Sequence, residues 1–256
     1  MTVAEKKVAI FYTDHPTDWT GADNTYATMA VDLLETSKKF ESYVEAEFSV
    51  GYEIFDVFHG EVPTFEQLNS GDYIGIYITG SRYDSFDTST EWINNLRDLL
   101  HQIMTESNIP VVGICFGHQI MAHSLGASVA RNKKGFEAGV TQIALNPLGH
   151  ALFQSQSICL SELHFDHVET VPEGYQCWGS SSKSHVQGLY RPNKALTFQG
   201  HPEFTTAISK KSIAHQYKAK KIDDAEYQRL IAQCDSLQND GIPVSRKIWQ
   251  LYYGRI

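Results

Sequence analysis

Two short segments of this chain hold residue types that suit nucleophilic chemistry. Pro110-Val-Val-Gly-Ile-Cys-Phe-Gly-His-Gln119 places Cys115 between two glycines, where an apolar run gives way to a helix-like stretch. Glycines at 113 and 117 permit a cramped turn from strand to helix, so the cysteine takes a strained backbone and points its sulfur out of a sheet. The N-terminal amides and dipole of the following helix favour thiolate over thiol. The second segment, Thr197-Phe-Gln-Gly-His-Pro-Glu203, follows another apolar strand. In an extended segment positions i and i+2 project to one side, so His201 and Glu203 can meet, with Pro202 restricting the backbone between them. Cys115 then reads as nucleophile, His201 as its base and Glu203 as the acid that orients the imidazole. A cysteine ending a core strand is commonly packing, but the flanking glycines favour a nucleophile here, whereas His-Pro-Glu without that cysteine would read as a surface turn. Their combination points to a thiol enzyme.

Acyl transfer also needs two amide donors for the developing oxyanion. The amide of Phe116 is one natural donor, and the loop Ile78-Thr-Gly-Ser-Arg-Tyr83 offers the other, although Gly80 there would equally suit a plain strand-to-helix connection. Nucleotide and metal chemistry find no support. Neither Gly-x-x-x-x-Gly-Lys-Ser/Thr nor Gly-x-Gly-x-x-Gly follows the first strand, and His118 and His123, five apart on one helix, diverge. No cofactor is expected.

The surrounding elements read as βα alternation. Strands are predicted at 8–13, 48–58, 73–79 and 111–115, and helices at 25–38, 88–107 and 117–124, with Ser89 and Thr90 as caps of the second. Beyond 127 come short strands, 127–131, 139–145, 157–161, 174–180, 184–190 and 194–199, partly antiparallel, with turns at 146–149 and 171–174. Helices return at 226–234 and 244–253. The fold class is α/β, a doubly wound, mostly parallel sheet flanked by helices with a smaller antiparallel sheet. With 256 residues, 42% of them hydrophobic, and no linker or repeat, residues 1–256 read as one domain.

A net charge of -9 without a basic stripe argues against nucleic acid or an anionic membrane as partner. The N-terminus shows neither a signal-peptide core nor an apolar run long enough to span a bilayer, so a cytoplasmic or nuclear protein is expected. Cys159, Cys177 and Cys234 lack metal or disulfide spacing and read as ordinary buried thiols.

Thr-Gly-Ser at 79–81, Gly-Ile-Cys-Phe-Gly-His-Gln at 113–119 and Gly-His-Pro-Glu at 200–203 resemble, in order and spacing, the class I glutamine amidotransferase (triad glutaminase) family, whose sheet is flavodoxin-like. The resemblance implies glutamine hydrolysis through a γ-glutamyl thioester with release of ammonia. It carries over Cys115, His201 and Glu203 as the triad, and Ser81 and Phe116 as backbone oxyanion donors. Gly80 and Gln119 become substrate contacts, as does His164 in Glu162-Leu-His-Phe-Asp166. Gly139 and Val140 fall where the family holds the amino-acid end by backbone groups. The family's Gly-Gly-Pro loop is here Gly80-Ser81-Arg82. Relatives of this kind pass ammonia to a synthetase domain or partner subunit, for which this chain has no room. The variant loop and length are similar to fungal amidotransferases and to plant γ-glutamyl peptidases, which use the same triad on glutathione-type substrates. The expected partner is therefore a small γ-glutamyl compound, glutamine or glutathione-like, and a synthetase subunit is the further expectation. The reading from another class is a noncatalytic binding or regulatory module on the same fold.

Overall fold

The computed structural model describes residues 4–21 and 24–256. Its first half alternates as predicted, apart from the added short helix α2: β1 (Glu5–Tyr12), α1 (Tyr26–Lys38), β2 (Ser49–Asp56), α2 (Phe65–Leu68), β3 (Tyr73–Ile78), α3 (Glu91–Glu106), β4 (Val111–Ile114) and α4 (Phe116–Ser124). A reciprocal capping box starts α1, the Thr25 hydroxyl accepting from the Thr28 amide while the Thr25 amide donates to the Thr28 hydroxyl. α3 begins later than the expected residue 88. Thr90 occupies the cap position, but it and Ser89 both donate their hydroxyls to Asp87, so neither caps the helix through its side chain.

The second half contains β5 (Val129–Arg131), β6 (Glu137–Leu145), α5 (Pro147–Phe153), β7 (Ser157–His164), β8 (Asp166–Val168), β9 (Gln176–Cys177), β10 (Gly179–Ser180), β11 (Leu189–Arg191), β12 (Ala195–Phe198), α6 (Thr206–Lys218), α7 (Asp224–Ser236) and α8 (Gly241–Tyr252). Two helices depart from the sequence reading. The expected turn at 146–149 is the start of α5, where the Asn146 side chain accepts from the Gly149 amide and Pro147 takes the first helical position. α6 was not anticipated, because part of its buried face is Ser209 and Ser212 rather than an apolar stripe. Of the cysteines, all free, Cys159 and Cys177 are only half-buried.

Among the described residues the main sheet has seven strands in the order β2-β1-β3-β4-β12-β11-β9. From β2 to β12 neighbours run parallel, and β11 and β9 extend the sheet antiparallel. Smaller antiparallel sheets are β10-β6-β7 and β5-β8. Period-two alternation divides the core between the faces of the main sheet. Val8 and Ile10 pack with Leu34 of α1 and Trp249 of α8, while Ala9 and Phe11 pack with Leu96 and Leu100 of α3. This is the α/β architecture expected, a mostly parallel sheet covered on both faces. Its registers, Phe11 beside Ile78, Ile78 beside Gly113 and Ile114 beside Phe198, bring the C-terminal ends of β1, β3, β4 and β12 level. Open parallel sheets build their ligand crevices at that edge.

Candidate active site

β4 ends at Ile114, and Cys115 turns the chain into α4 with φ 50° and ψ -102°. Few non-glycine residues adopt such a backbone, and holding one there costs about 1–3 kcal/mol. The flanking glycines make the turn sterically feasible. A Cβ on Gly113 would sit 2.6 Å from the Gly117 carbonyl group, and one on Gly117 would sit 2.5 Å from the Ile78 oxygen. The Cys115 amide donates to the Phe198 carbonyl at 2.8 Å, pinning the elbow to β12.

β12 delivers His201 to the same edge. Its amide donates to the Ser161 carbonyl of β7 at 2.8 Å, after which residues 202 and 203 form a turn rather than the extended segment expected. The turn still achieves the contact, with His201 Nδ1 donating to Glu203 Oε1 at 2.7 Å and both residues buried. Nε2 is left for Cys115. The Phe204 ring stacks on the imidazole at 4.2 Å between centroids, and Tyr26 of α1 lies against it at 5.7 Å. Asn239 ties the turn from outside, donating Nδ2 to the His201 carbonyl (2.9 Å) and the Phe204 carbonyl (2.7 Å). Burial alone would lower the His201 pKa, yet the charges of Glu203 and Cys115 and its hydrogen bonds to both raise it to about 10. At neutral pH the site therefore favours an imidazolium facing the sulfur.

The loop after β3 brings Ser81 to this edge. The Thr13 amide donates to the Thr79 hydroxyl and the Thr13 hydroxyl to the Gly80 carbonyl, each at 3.1 Å. Buried Asp14 accepts from the Arg82 amide (3.1 Å) and from its own neighbour's amide at His15 (2.8 Å), and pairs with Arg82 Nε at 2.8 Å. Burial pushes the Asp14 carboxyl upward, against the pull of these amides and of Arg82. Among the described residues neither the Ser81 nor the Phe116 amide donates to another protein group, which leaves both donors for a ligand. Gly80 contributes space: a Cβ there would lie 2.7 Å from His201 Cε1.

Of these groups Cys115, Ser81 and Tyr26 line a cavity of about 400 Å³, together with Gln119, Arg82 and Arg131 among others; Gly80, expected as a substrate contact, does not line it, nor do Phe116 and His201. Gln119 donates Nε2 to the Asp166 carbonyl (3.0 Å) and to Gln199 Oε1 (3.1 Å), so its amide is fixed at the wall. Arg131 pairs with Asp84 and Asp166, each at 2.9 Å. Burial raises the Asp166 carboxyl to about 6 despite that guanidinium.

With this geometry established, comparison with known proteins gives a consistent result. The family model "Glutamine amidotransferase class-I" matches residues 58–219. A Saccharomyces cerevisiae protein named "Putative glutamine amidotransferase" is 46% identical over the whole length of both chains. This chain belongs to the class I glutamine amidotransferase family. It is also similar to "Gamma-glutamyl peptidase 2" of Arabidopsis thaliana, 32% identical across 68% of this chain and 70% of that one. A solved Thermotoga maritima glutamine amidotransferase shares the fold with a TM-score of 0.70, covering 96% of this chain and 98% of its own at 20% identity.

Not every residue that the family resemblance suggested reaches the cavity. Gly139 and Val140 do not line it. They lie on β6 against α7, Val140 fully buried with Leu230, and a Cβ on Gly139 would approach the Leu230 side chain at 3.0 Å. His164 does reach the wall, but both ring nitrogens are engaged: Nδ1 with the Asp166 carbonyl at 2.8 Å, Nε2 with Glu137 and Glu162 at 3.1 Å each. Burial opposes its charge, yet the hydrogen bonds and charges of the two carboxylates raise it to about 10, so it serves as their buried counter-ion. Their ligand atoms lie within 4.8 Å of one another, a geometry that could gather a metal, and the His164 proton supplies the positive charge there. The His118 and His123 pair gathers nothing. His118 faces the Thr197 hydroxyl at 2.8 Å and burial lowers it to about 3, while His123 points to the Ser85 carbonyl. Sequence reasoning missed Thr13, Asp14, Thr79, Tyr26 and Asn239. Only Asp14, a carboxylate directly after the first buried strand, carried a usable signal. No helix among the described residues is long and apolar enough to cross a membrane.

Proposed function

We propose that this protein hydrolyses γ-glutamyl amide bonds through a thioester on Cys115. The observation that carries the reading is the strained elbow of Cys115 beside His201, whose Nδ1 Glu203 holds at 2.7 Å. The Cys115 thiolate attacks the γ-carbonyl carbon, and the resulting oxyanion lies against the Ser81 and Phe116 amides. His201 gives its proton to the departing nitrogen as the carbon–nitrogen bond breaks, leaving the γ-glutamyl thioester and a neutral imidazole. Water then attacks the thioester, with its proton passing to His201. Expulsion of the thiolate releases glutamate and restores the ion pair.

Glutamine, releasing ammonia, is the first substrate. A γ-glutamyl peptide is the second, favoured by a cavity of about 400 Å³ that leaves room for a leaving group larger than ammonia. Purified protein is incubated separately with glutamine, a γ-glutamyl dipeptide and glutathione, and free glutamate is followed with Cys115→Ala as control. Peptide cleavage that vanishes in the variant establishes a self-sufficient peptidase. Turnover of glutamine alone, or activity that rises on adding cell extract, establishes a glutaminase serving a partner. No turnover dependent on Cys115 refutes the hydrolase and leaves a binding module.

A further inference from the structure

The proposed reaction fixes where the departing amine lies. His201 delivers its proton, so the leaving nitrogen stands beside the imidazole, and whatever that nitrogen carries extends along the neighbouring wall. The wall is aromatic. Tyr26, which stacks on His201 at 5.7 Å, and Trp19, whose ring meets Tyr26 edge-on at 6.3 Å, both line the cavity that Cys115 lines. Phe204 stacks on the imidazole at 4.2 Å and meets the Trp19 ring at 5.9 Å, so a single ring bridges the indole and the general acid. His215 of α6, also on the lining, lies at 6.4 Å from the indole. Trp19 is only half-buried. A large aromatic face left partly in water at a cavity wall is surface that a flat, apolar group on the ligand would cover.

Charge narrows the choice of amine. The described lining carries four aspartates, Asp14, Asp18, Asp84 and Asp166, against two arginines, and Arg82 is already paired with Asp14 and Arg131 with Asp84 and Asp166. The charge of His164 is taken up by Glu137 and Glu162. A leaving group that brings a carboxylate, as an amino acid or the cysteinylglycine of glutathione does, meets an excess of negative charge with both lining guanidiniums engaged. We infer that the preferred substrates are γ-glutamyl amides of aromatic amines that lack a carboxylate, with Trp19 as the residue that selects the ring. The inference rests on the proposed hydrolase reading, because it is His201 that marks the leaving side.

The test separates binding from turnover. Calorimetry on the full chain carrying Cys115→Ala, which cannot form the thioester, compares γ-glutamyl-2-phenylethylamide, γ-glutamylethylamide and γ-glutamylphenylalanine, while glutamate release from the same three is followed with the wild-type chain. The ring should tighten binding at least about tenfold over the ethylamide. The added carboxylate of γ-glutamylphenylalanine should weaken binding about three- to fivefold relative to the phenylethylamide, the worth of a partly screened charge contact. In wild type, kcat/KM should rank the three in the same order. Trp19→Leu keeps apolar bulk without an aromatic face and should bring the ring preference to within about threefold of unity. Trp19→Phe, the milder change, should lose about half of that preference and serves in place of the leucine variant if the latter does not fold. No ring preference in the Cys115→Ala chain, an unchanged preference in whichever Trp19 variant folds, or tighter binding of γ-glutamylphenylalanine than of the phenylethylamide would each overturn the inference. The expected affinity pattern without glutamate release from any of the three would sustain the aromatic subsite and refute the hydrolase reading. Equal affinities with Cys115-dependent release would do the reverse.

Discussion

Gly80 is a position at which a single methyl group should damage the chemistry while leaving the fold in place. In Gly80→Ala the new Cβ would lie 2.7 Å from His201 Cε1, short of an ordinary van der Waals contact by 0.7 Å or more. The imidazole has little room to retreat. Phe204 stacks on it at 4.2 Å, Glu203 holds Nδ1 at 2.7 Å and Tyr26 covers it from α1. The ring or the loop must therefore move by the better part of an ångström, and a misplacement of about 1 Å at a reacting group costs on the order of 10²-fold in rate. We expect kcat to fall ~30- to 100-fold, about 2–3 kcal/mol of transition-state stabilisation, with KM little changed. Overpacking should lower stability by about 1–3 kcal/mol. The assay is steady-state release of glutamate, paired with the rate at which iodoacetamide alkylates Cys115, which reports the His201–Cys115 contact without any substrate. Both should fall together while the circular dichroism spectrum stays native. Phe204→Ala in the same chain opens space behind the ring and should restore part of the alkylation rate. A Gly80→Ala enzyme within twofold of wild type in both measurements would show that the ring yields at no cost, and the reasoning would be wrong.

Three other substitutions probe the scaffold. His164→Gln leaves Glu137 and Glu162 facing each other without a counter-ion and should cost about 3–5 kcal/mol in urea unfolding, much of it recovered when Glu162→Gln is added. Because the folded-state pKa of His164 is raised to about 10, its contribution is complete below the unfolded value near 6.5 and is lost as pH rises through about 10. The urea midpoint of wild type should therefore fall over that window more than that of His164→Gln, where His201 and the thiols of Cys159, Cys177 and Cys234, all raised on folding, still contribute in the same direction. Asp14→Ala removes the acceptor for the Arg82 and His15 amides and should lower kcat by about 10- to 100-fold, the scale for a mispositioned oxyanion donor, which steady-state kinetics will measure. Gly113→Ala would press a Cβ to 2.6 Å from backbone atoms of Gly117, which no rotamer change relieves, and thermal melts should show a loss of more than about 3 kcal/mol or no folded protein.

The parts of this molecule legible in the sequence are those where one signal dominates. Val111 to Ile114 and Tyr73 to Ile78 are continuous apolar runs because parallel strands are covered on both faces, and the glycines around Cys115 announce a turn that only they permit. The helix at 206–218 escaped because its inner face includes serines that satisfy each other and the backbone: Ser209 donates to the Thr205 carbonyl and pairs with Ser161. Asn146-Pro147 signals equally a turn and a helix start, and only the packed context chooses. At the candidate site, the contact of His201 with Glu203 was readable because they lie two positions apart, and the turn at Cys115 because glycines flank it. Asp14 and Asn239 act on backbone groups distant in sequence, the first on the loop at 82 and the second on the turn at 201–204. Nothing local in a chain records such a partner.

The elbow at Cys115 also has a meaning for the history of the chain. A residue held at φ 50° is one that glycine would occupy at less strain, so folding and chemistry make opposed demands on this position. Glycine at 115 would relieve the backbone and, on the proposed chemistry, abolish the nucleophile in one step. A lineage released from the need for this reaction would gain stability by giving up the cysteine, and the earliest trace of lost activity in such a descendant should be found here, in a sturdier protein.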